Sequence, residues 1–169
     1  MKILITIILM ALSTNLYSQI TVSGKDYKKG EVVKSEGNEI FIGKYVSKSD
    51  TGIFTLFLKK EIVRPDSNNP FEIITGSYDY SKNGKTVYSN AEDPVKYGNL
   101  AGREVLDGKL NISFKDGTTG ASAKGWIAFN SDGKLIWKIA QHDGEGIRFV
   151  GHRKDLFVPT EMIFEKVPN

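Results

Sequence analysis

Six side chains able to do chemistry crowd into the stretch "QHDGEGIRFVGHRKD": His142, Asp143, Glu145, Arg148, His152 and Asp155. His142 and His152 with one carboxylate are the types that hold a divalent transition metal, and a histidine beside Asp143 is the pairing a general base needs. Those two histidines are the chain's whole complement, and there is no cysteine. The spacing matches no metal-ligand pattern, and Gly144 and Gly146 around Glu145 read as the tip of a charged hairpin loop. A hydrolase using His142, Asp143 and His152 therefore stands as an alternative, and the sequence assigns no catalytic residue and no metal ligand.

Two further stretches invite the same test. "RPDSNNP" offers Asp66, Asn68 and Asn69 as oxygen donors, yet no glutamate closes a calcium set at a ligand spacing, so it reads as a turn. "KDGTTGAS" places Gly117 and Gly120 beside hydroxyls but lacks the lysine and following helix of a phosphate loop, so it reads as a flexible connection. No cofactor is implied. What remains is aromatic: Tyr78, Tyr80, Tyr88, Trp126 and Trp137 sit in strand-like segments, and together they are the candidate lining of a site for an apolar or sugar-like ligand, or else the filling of a core.

The elements that carry these residues are short and alternating. "KLNISFK" puts Leu110, Ile112 and Phe114 on one face and Lys109, Asn111, Ser113 and Lys115 on the other, and "KLIWKIAQ" repeats this with Leu135, Trp137 and Ile139. Asn83-Gly84, Asp107-Gly108 and Asp132-Gly133 each join two such runs, the dipeptides whose positive φ angles suit tight, right-twisted hairpins. Asn83-Gly84 would set the register that lets Tyr78, Tyr80 and their partners share faces. The best helical candidate, "NAEDPVKYGNL", is limited to a turn or two by Pro94 and Gly98. The expectation is an all-β protein, an antiparallel meander closing into a single up-and-down β-barrel of about 8 to 10 strands, because closure removes the exposed edges of a sheet this long.

Ahead of the barrel, Met1-Lys2, the apolar run Ile3–Leu12 and a small residue at Ser18 read as a signal peptide over 1–18, cut after Ser18. Residues 19–40 read as an N-terminal arm or edge strand, and 41–169 as the barrel domain. These features imply a secreted or periplasmic protein that does not span the membrane once processed. With 23 Lys+Arg against 20 Asp+Glu and no basic run, nucleic acid is not indicated as a partner. An outer-membrane barrel is disfavoured because Lys59, Lys60 and Glu61 interrupt the longest apolar segment and no aromatic girdles recur.

"FIGKY" (Phe41 to Tyr45), "LKK" (Leu58 to Lys60), "IITGSYDYSKNG" (Ile74 to Gly84) and "VPTEMIFEKV" (Val158 to Val167) carry a resemblance over Phe41 to Val167. On these motifs the chain resembles an uncharacterised family, a domain of unknown function, of small secreted β-barrel proteins from Flavobacterium-like bacteria. The opening strand is loosely lipocalin-like, with Tyr45 where a Gly-x-Trp strand has tryptophan. The resemblance implies fold and lineage and transfers no catalytic residue. The functional expectation is a non-enzymatic barrel that binds a small apolar ligand or a protein partner at the cell envelope, with an inhibitor or immunity-type protein as a further alternative.

Overall fold

Asn83 and Asp107 are the non-glycine residues of positive φ among the described residues, both at 51°, and each precedes a glycine at 73°. That is the signature of two-residue hairpins whose twist matches the strands they join. The third such dipeptide behaves differently. At Asp132-Gly133 only the glycine is left-handed, and the chain makes a wider loop in which the Asn130 N–H donates to the Lys134 carbonyl at 3.0 Å. The Asn130 side-chain oxygen accepts the N–H groups of Asp132 (3.0 Å) and Lys134 (2.9 Å), so this asparagine organises the turn and no type I′ pair is needed.

The computed structural model describes residues 21–22, 25–50, 52–65, 69–90, 98–141 and 155–168. In chain order the elements are β1 (Thr21–Val22), β2 (Lys25–Asp26), a 3₁₀ turn η1 (Asn38–Phe41), β3 (Gly43–Ser49), β4 (Gly52–Val63), β5 (Phe71–Lys82), β6 (Lys85–Ser89), β7 (Leu100–Leu106), β8 (Lys109–Lys115), β9 (Ser122–Phe129), β10 (Leu135–Gln141) and β11 (Glu161–Val167). The described residues fall into two compact units, one drawn from 21–34 and 62–72 and the other from 35–61 and 73–168.

Residues of the first unit make a two-residue ladder, Thr21 opposite Asp26 and Val22 opposite Lys25, and a parallel bridge from Val33 to Phe71. Asn69 is its organiser: its side-chain oxygen accepts the Gly30 N–H at 2.9 Å and its amide donates to the Lys28 carbonyl at 3.0 Å. It braces the turn at Lys29–Gly30, 39 to 41 residues away in the chain, and Asp66 and Asn68, with the turn expected of "RPDSNNP", lie outside the described residues.

In the second unit the order β3-β4-β5-β7-β8-β9-β10-β11 runs through consecutive antiparallel neighbours and closes where β11 meets β3, through Glu165↔Val46, Lys166↔Tyr45 and Val167↔Lys44. This is an eight-stranded closed up-and-down barrel, with β6 as one additional strand. β5 is long enough to serve two neighbours on one edge: Ile74–Gly76 pair with β7, and Asp79–Lys82 pair with β6.

Alternation decides which face is inside. Leu110, Ile112 and Phe114 of β8 are buried while the lysines, Asn111 and Ser113 between them are exposed, and Leu135, Trp137 and Ile139 of β10 follow suit. The barrel's first strand begins at Gly43; Phe41 belongs to η1, where its fully buried ring stacks on Phe129 of β9 at 5.4 Å. The Tyr45 hydroxyl donates to the Phe41 carbonyl at 2.9 Å and holds this turn against the barrel end.

Candidate functional site

Four of the five aromatic residues singled out by the sequence come together. Tyr78 and Tyr80 of β5 and Trp137 of β10 are buried inside the barrel, and Tyr88 of β6 lies against the same core. Phe54 of β4 is the hub: its ring lies 4.8 Å from Tyr78, 5.6 Å from Tyr80, 6.2 Å from Trp137 and 5.7 Å from Phe164 of β11. Phe114 of β8 completes the set, 5.5 Å from Tyr78 and edge-on to Trp137 at 5.1 Å. β4 and β10 are three strands apart around the wall, so rings that meet from these positions fill the lumen at this level. An eight-stranded barrel has an interior just wide enough for side chains to occupy, and here they are the largest ones available. Tyr78, Tyr80 and Trp137 thus belong to the buried core, with Tyr88 packed against it.

Above this layer, polar groups that the sequence did not single out form a buried cluster at one end of the barrel. Asp116, fully buried after β8, is their centre. Its Oδ1 accepts the Thr118 N–H at 2.8 Å and the Tyr78 hydroxyl at 3.4 Å, and its Oδ2 accepts the N–H groups of Phe157 (2.6 Å) and Val158 (3.2 Å). The Tyr78 oxygen in turn accepts the Gly117 N–H at 2.9 Å. A buried carboxylate is tolerable where it is met by this many donors. The stretch "KDGTTG" is thus a fixed clasp, contrary to its reading as a flexible connection. Asp followed by Gly-Thr-Thr-Gly is an Asx-turn signal, and it is the feature from which the clasp was legible.

Beside the clasp, the Asn90 side-chain oxygen accepts the Tyr78 N–H at 2.9 Å, its amide donates to the Asn99 side-chain oxygen, and the Asn99 amide donates to the Lys115 carbonyl at 3.0 Å. The Tyr88 ring packs 4.6 Å from Tyr78, and a side chain at Gly117 would collide with it. The hairpin that places Tyr88 here pairs Tyr80 with Tyr88 but then shifts register between Tyr80 and Ser81, so it carries a bulge and is not uniform. Burial raises the Tyr78 phenol well above its ordinary range and pushes Tyr45 up to about 12. Neither phenol is an acid or base near neutral pH.

Trp126 stands apart from the other four. On β9, Ala123 and Ile127 are buried, so Trp126 projects from the opposite, outer face, where it is partly exposed. Its cross-strand neighbours are Asn111 of β8 and Lys138 of β10. The Lys109 ammonium lies 4.8 Å from the indole centroid, a cation–π contact. The outward positions of these three strands are Lys109, Asn111, Ser113 and Lys115, then Ser122, Lys124, Trp126 and Ala128, then Ile136, Lys138 and Ala140. None of them carries a carboxylate. At the upper end of this wall lies a depression of about 340 Å³, lined among others by Asn99, Ala101, Ser113, Lys115, Ser122 and Lys124. A second depression, on the outer face of β3 and β11, contains the exposed Lys134–Glu165 pair (2.8 Å), whose hydrogen bond raises the lysine and lowers the carboxyl.

Neither a family model, a curated protein nor a solved structure matches the chain. His142, Asp143 and His152, the alternative catalytic set, lie outside the described residues, as do residues 1–18 and most of "NAEDPVKYGNL". Among the described residues no cluster of three or more metal-ligating His, Asp or Glu side chains occurs, and no helix is long and apolar enough to cross a membrane.

Proposed function

We propose that the protein is a non-enzymatic β-barrel that binds its ligand on the outer wall of β8–β10, with the lumen serving as core. The observation that carries this reading is Trp126, a large ring left partly exposed among outward β8–β10 positions that carry no carboxylate of their own, with the Lys109 ammonium over it and, beside it, Lys138 paired to Glu161 of β11 at 3.4 Å, whereas the other singled-out rings are spent on packing. Exposed aromatic side chains flanked by polar groups are the usual anchors of recognition surfaces, because they offer much contact area for little lost conformational freedom. We place this barrel outside the cytoplasm, with 1–18 as its signal peptide and the secreted, loosely lipocalin-like family of Flavobacterium-like bacteria as its kin. A water-facing exterior fits that assignment: lysines at the outward positions of a lipid-embedded barrel would be costly.

The test uses the two tryptophans as separate reporters. In Trp137→Phe the only indole is Trp126, and in Trp126→Phe it is Trp137. Titrating each with a cell-envelope extract should shift the emission of Trp126 and leave that of Trp137 unchanged. A response from Trp137 alone would return binding to the lumen and end this reading.

A further inference from the structure

Resting on the outer-wall reading, we propose that the ligand is an acidic glycan, a polysaccharide bearing carboxylate or sulfate groups, whose pyranose ring stacks on Trp126 while its anionic groups meet Lys109 and the Lys115–Lys124 depression. Three independent features of the wall converge on this chemistry.

The first is the juxtaposition of ammonium and indole. The Lys109 ammonium lies over the Trp126 ring, 4.8 Å from its centroid, so one site combines a mobile cation with a partly exposed apolar ring, and a sugar that stacks there displaces the ammonium to its own edge. An acidic sugar residue presents the matching pair, a C–H face and an anionic substituent on the same ring. The second is the depression. Small side chains at Ala101, Ser113 and Ser122 make the dip, and Lys115 and Lys124 bracket it from diagonal positions of the Ser113↔Lys124 and Lys115↔Ser122 pairs. It therefore combines two ammonium groups with two hydroxyls, donors that suit an oxyanion beside sugar hydroxyls. The third is length and sign. Lys109 and Lys115 lie six residues apart on one strand, about 20 Å at the usual strand rise, and no carboxylate interrupts the outward face between them. That describes a track for an extended anionic chain rather than a single small-molecule pocket.

Two rival polyanions fit less well. Single-stranded nucleic acid is held by successive aromatic platforms, and this wall has one. An anionic bilayer is met by several insertable apolar side chains, whereas Asn111, Ser113, Ser122 and four lysines dominate here.

Affinity electrophoresis and calorimetry of the full chain with polygalacturonate are the test, with neutral dextran, single-stranded DNA and phosphatidylglycerol vesicles run in parallel. Polygalacturonate should bind, weaken as salt is raised, and outcompete the other three. Trp126→Ala should lower its affinity about tenfold, the scale of one lost stacking platform. The double variant Lys115→Gln with Lys124→Gln should lower it by about as much at low salt and flatten the salt dependence. All these positions face solvent, so unchanged circular dichroism should confirm that the variants fold. If DNA or vesicles bind through Trp126 and Lys124 and polygalacturonate does not, the glycan assignment fails and the outer-wall reading stands. If polygalacturonate binds equally to wild type and both variants, the two fall together.

Discussion

Trp137 and Trp126 occupy adjacent strands, one register step apart: Trp137 is paired with Ile127, and Trp126 with Lys138. Trp137 points inward, is fully buried, packs edge-on against Phe114 and Phe164, and its Nε1–H donates to the Pro159 carbonyl at 3.3 Å. Trp126 points outward under a lysine, with amide and ammonium neighbours. The same side chain is thus part of the core on one face of the wall and partly exposed on the other. In a barrel a residue's role follows from the parity of its position before it follows from its type.

Truncation is the sharpest way to break that contrast. Trp137→Ala should cost about 3–5 kcal/mol by opening a cavity in the ring layer, read as a drop in the urea midpoint. Trp126→Ala removes a partly exposed ring that opens no core cavity and should cost far less, about 1 kcal/mol. Equal losses at the two sites would show that inside and outside are not as distinct as their environments suggest.

The clasp comes next in size. Asp116→Ala leaves the N–H groups of Thr118, Phe157 and Val158 without their acceptor, and should cost about 3 kcal/mol. Asp116→Asn retains one oxygen and should cost less. Faster hydrogen exchange at the Phe157 and Val158 amides in both variants would tie the loss to the clasp. A melting curve unchanged in Asp116→Ala would remove the clasp from the molecule's stabilising interactions.

Alkaline titration sharpens the interior side. Tyr45 has its phenol pushed from 10.0 to about 12 by burial, and Tyr78 is raised for the same reason. A folded value above the unfolded one means that stability is complete below pH 10 and declines as pH rises from there toward 12. Phenolate absorbance of these two residues should appear together with unfolding. If all seven tyrosines ionise at the unfolded value while the barrel stays intact, the interior is wetter than its burial implies.

The smallest effect belongs to the outer surface away from the tryptophan. The Lys134–Glu165 pair lies at the surface, and Lys134→Ala should give no detectable change in the denaturation midpoint at physiological salt.

Much of the barrel was legible because its signals are local. The period of two in "KLNISFK" and "KLIWKIAQ", together with Asn-Gly and Asp-Gly turns, fixes strands, hairpins and antiparallel order within a few residues of chain. The division of the aromatic set was not legible. "GWIAF" has apolar residues at both parities, so only pairing with Leu110 on one side and Trp137 on the other turns Ile127 inward and Trp126 out. Asp116 escaped for a related reason: the Asx turn is local, but the donors from Phe157 and Val158 arrive from 41 and 42 residues away. Long-range partners of this kind leave no trace in the spacing of the residues they serve.

Collisional quenching by acrylamide of the two single-tryptophan proteins tests the inside–outside assignment most directly. Trp126, alone in Trp137→Phe, should be readily quenched and emit at long wavelength. Trp137, alone in Trp126→Phe, should resist quenching and emit in the blue until the protein unfolds. Comparable quenching of both indoles in the folded state would contradict a filled barrel with Trp137 inside it and Trp126 on its exterior.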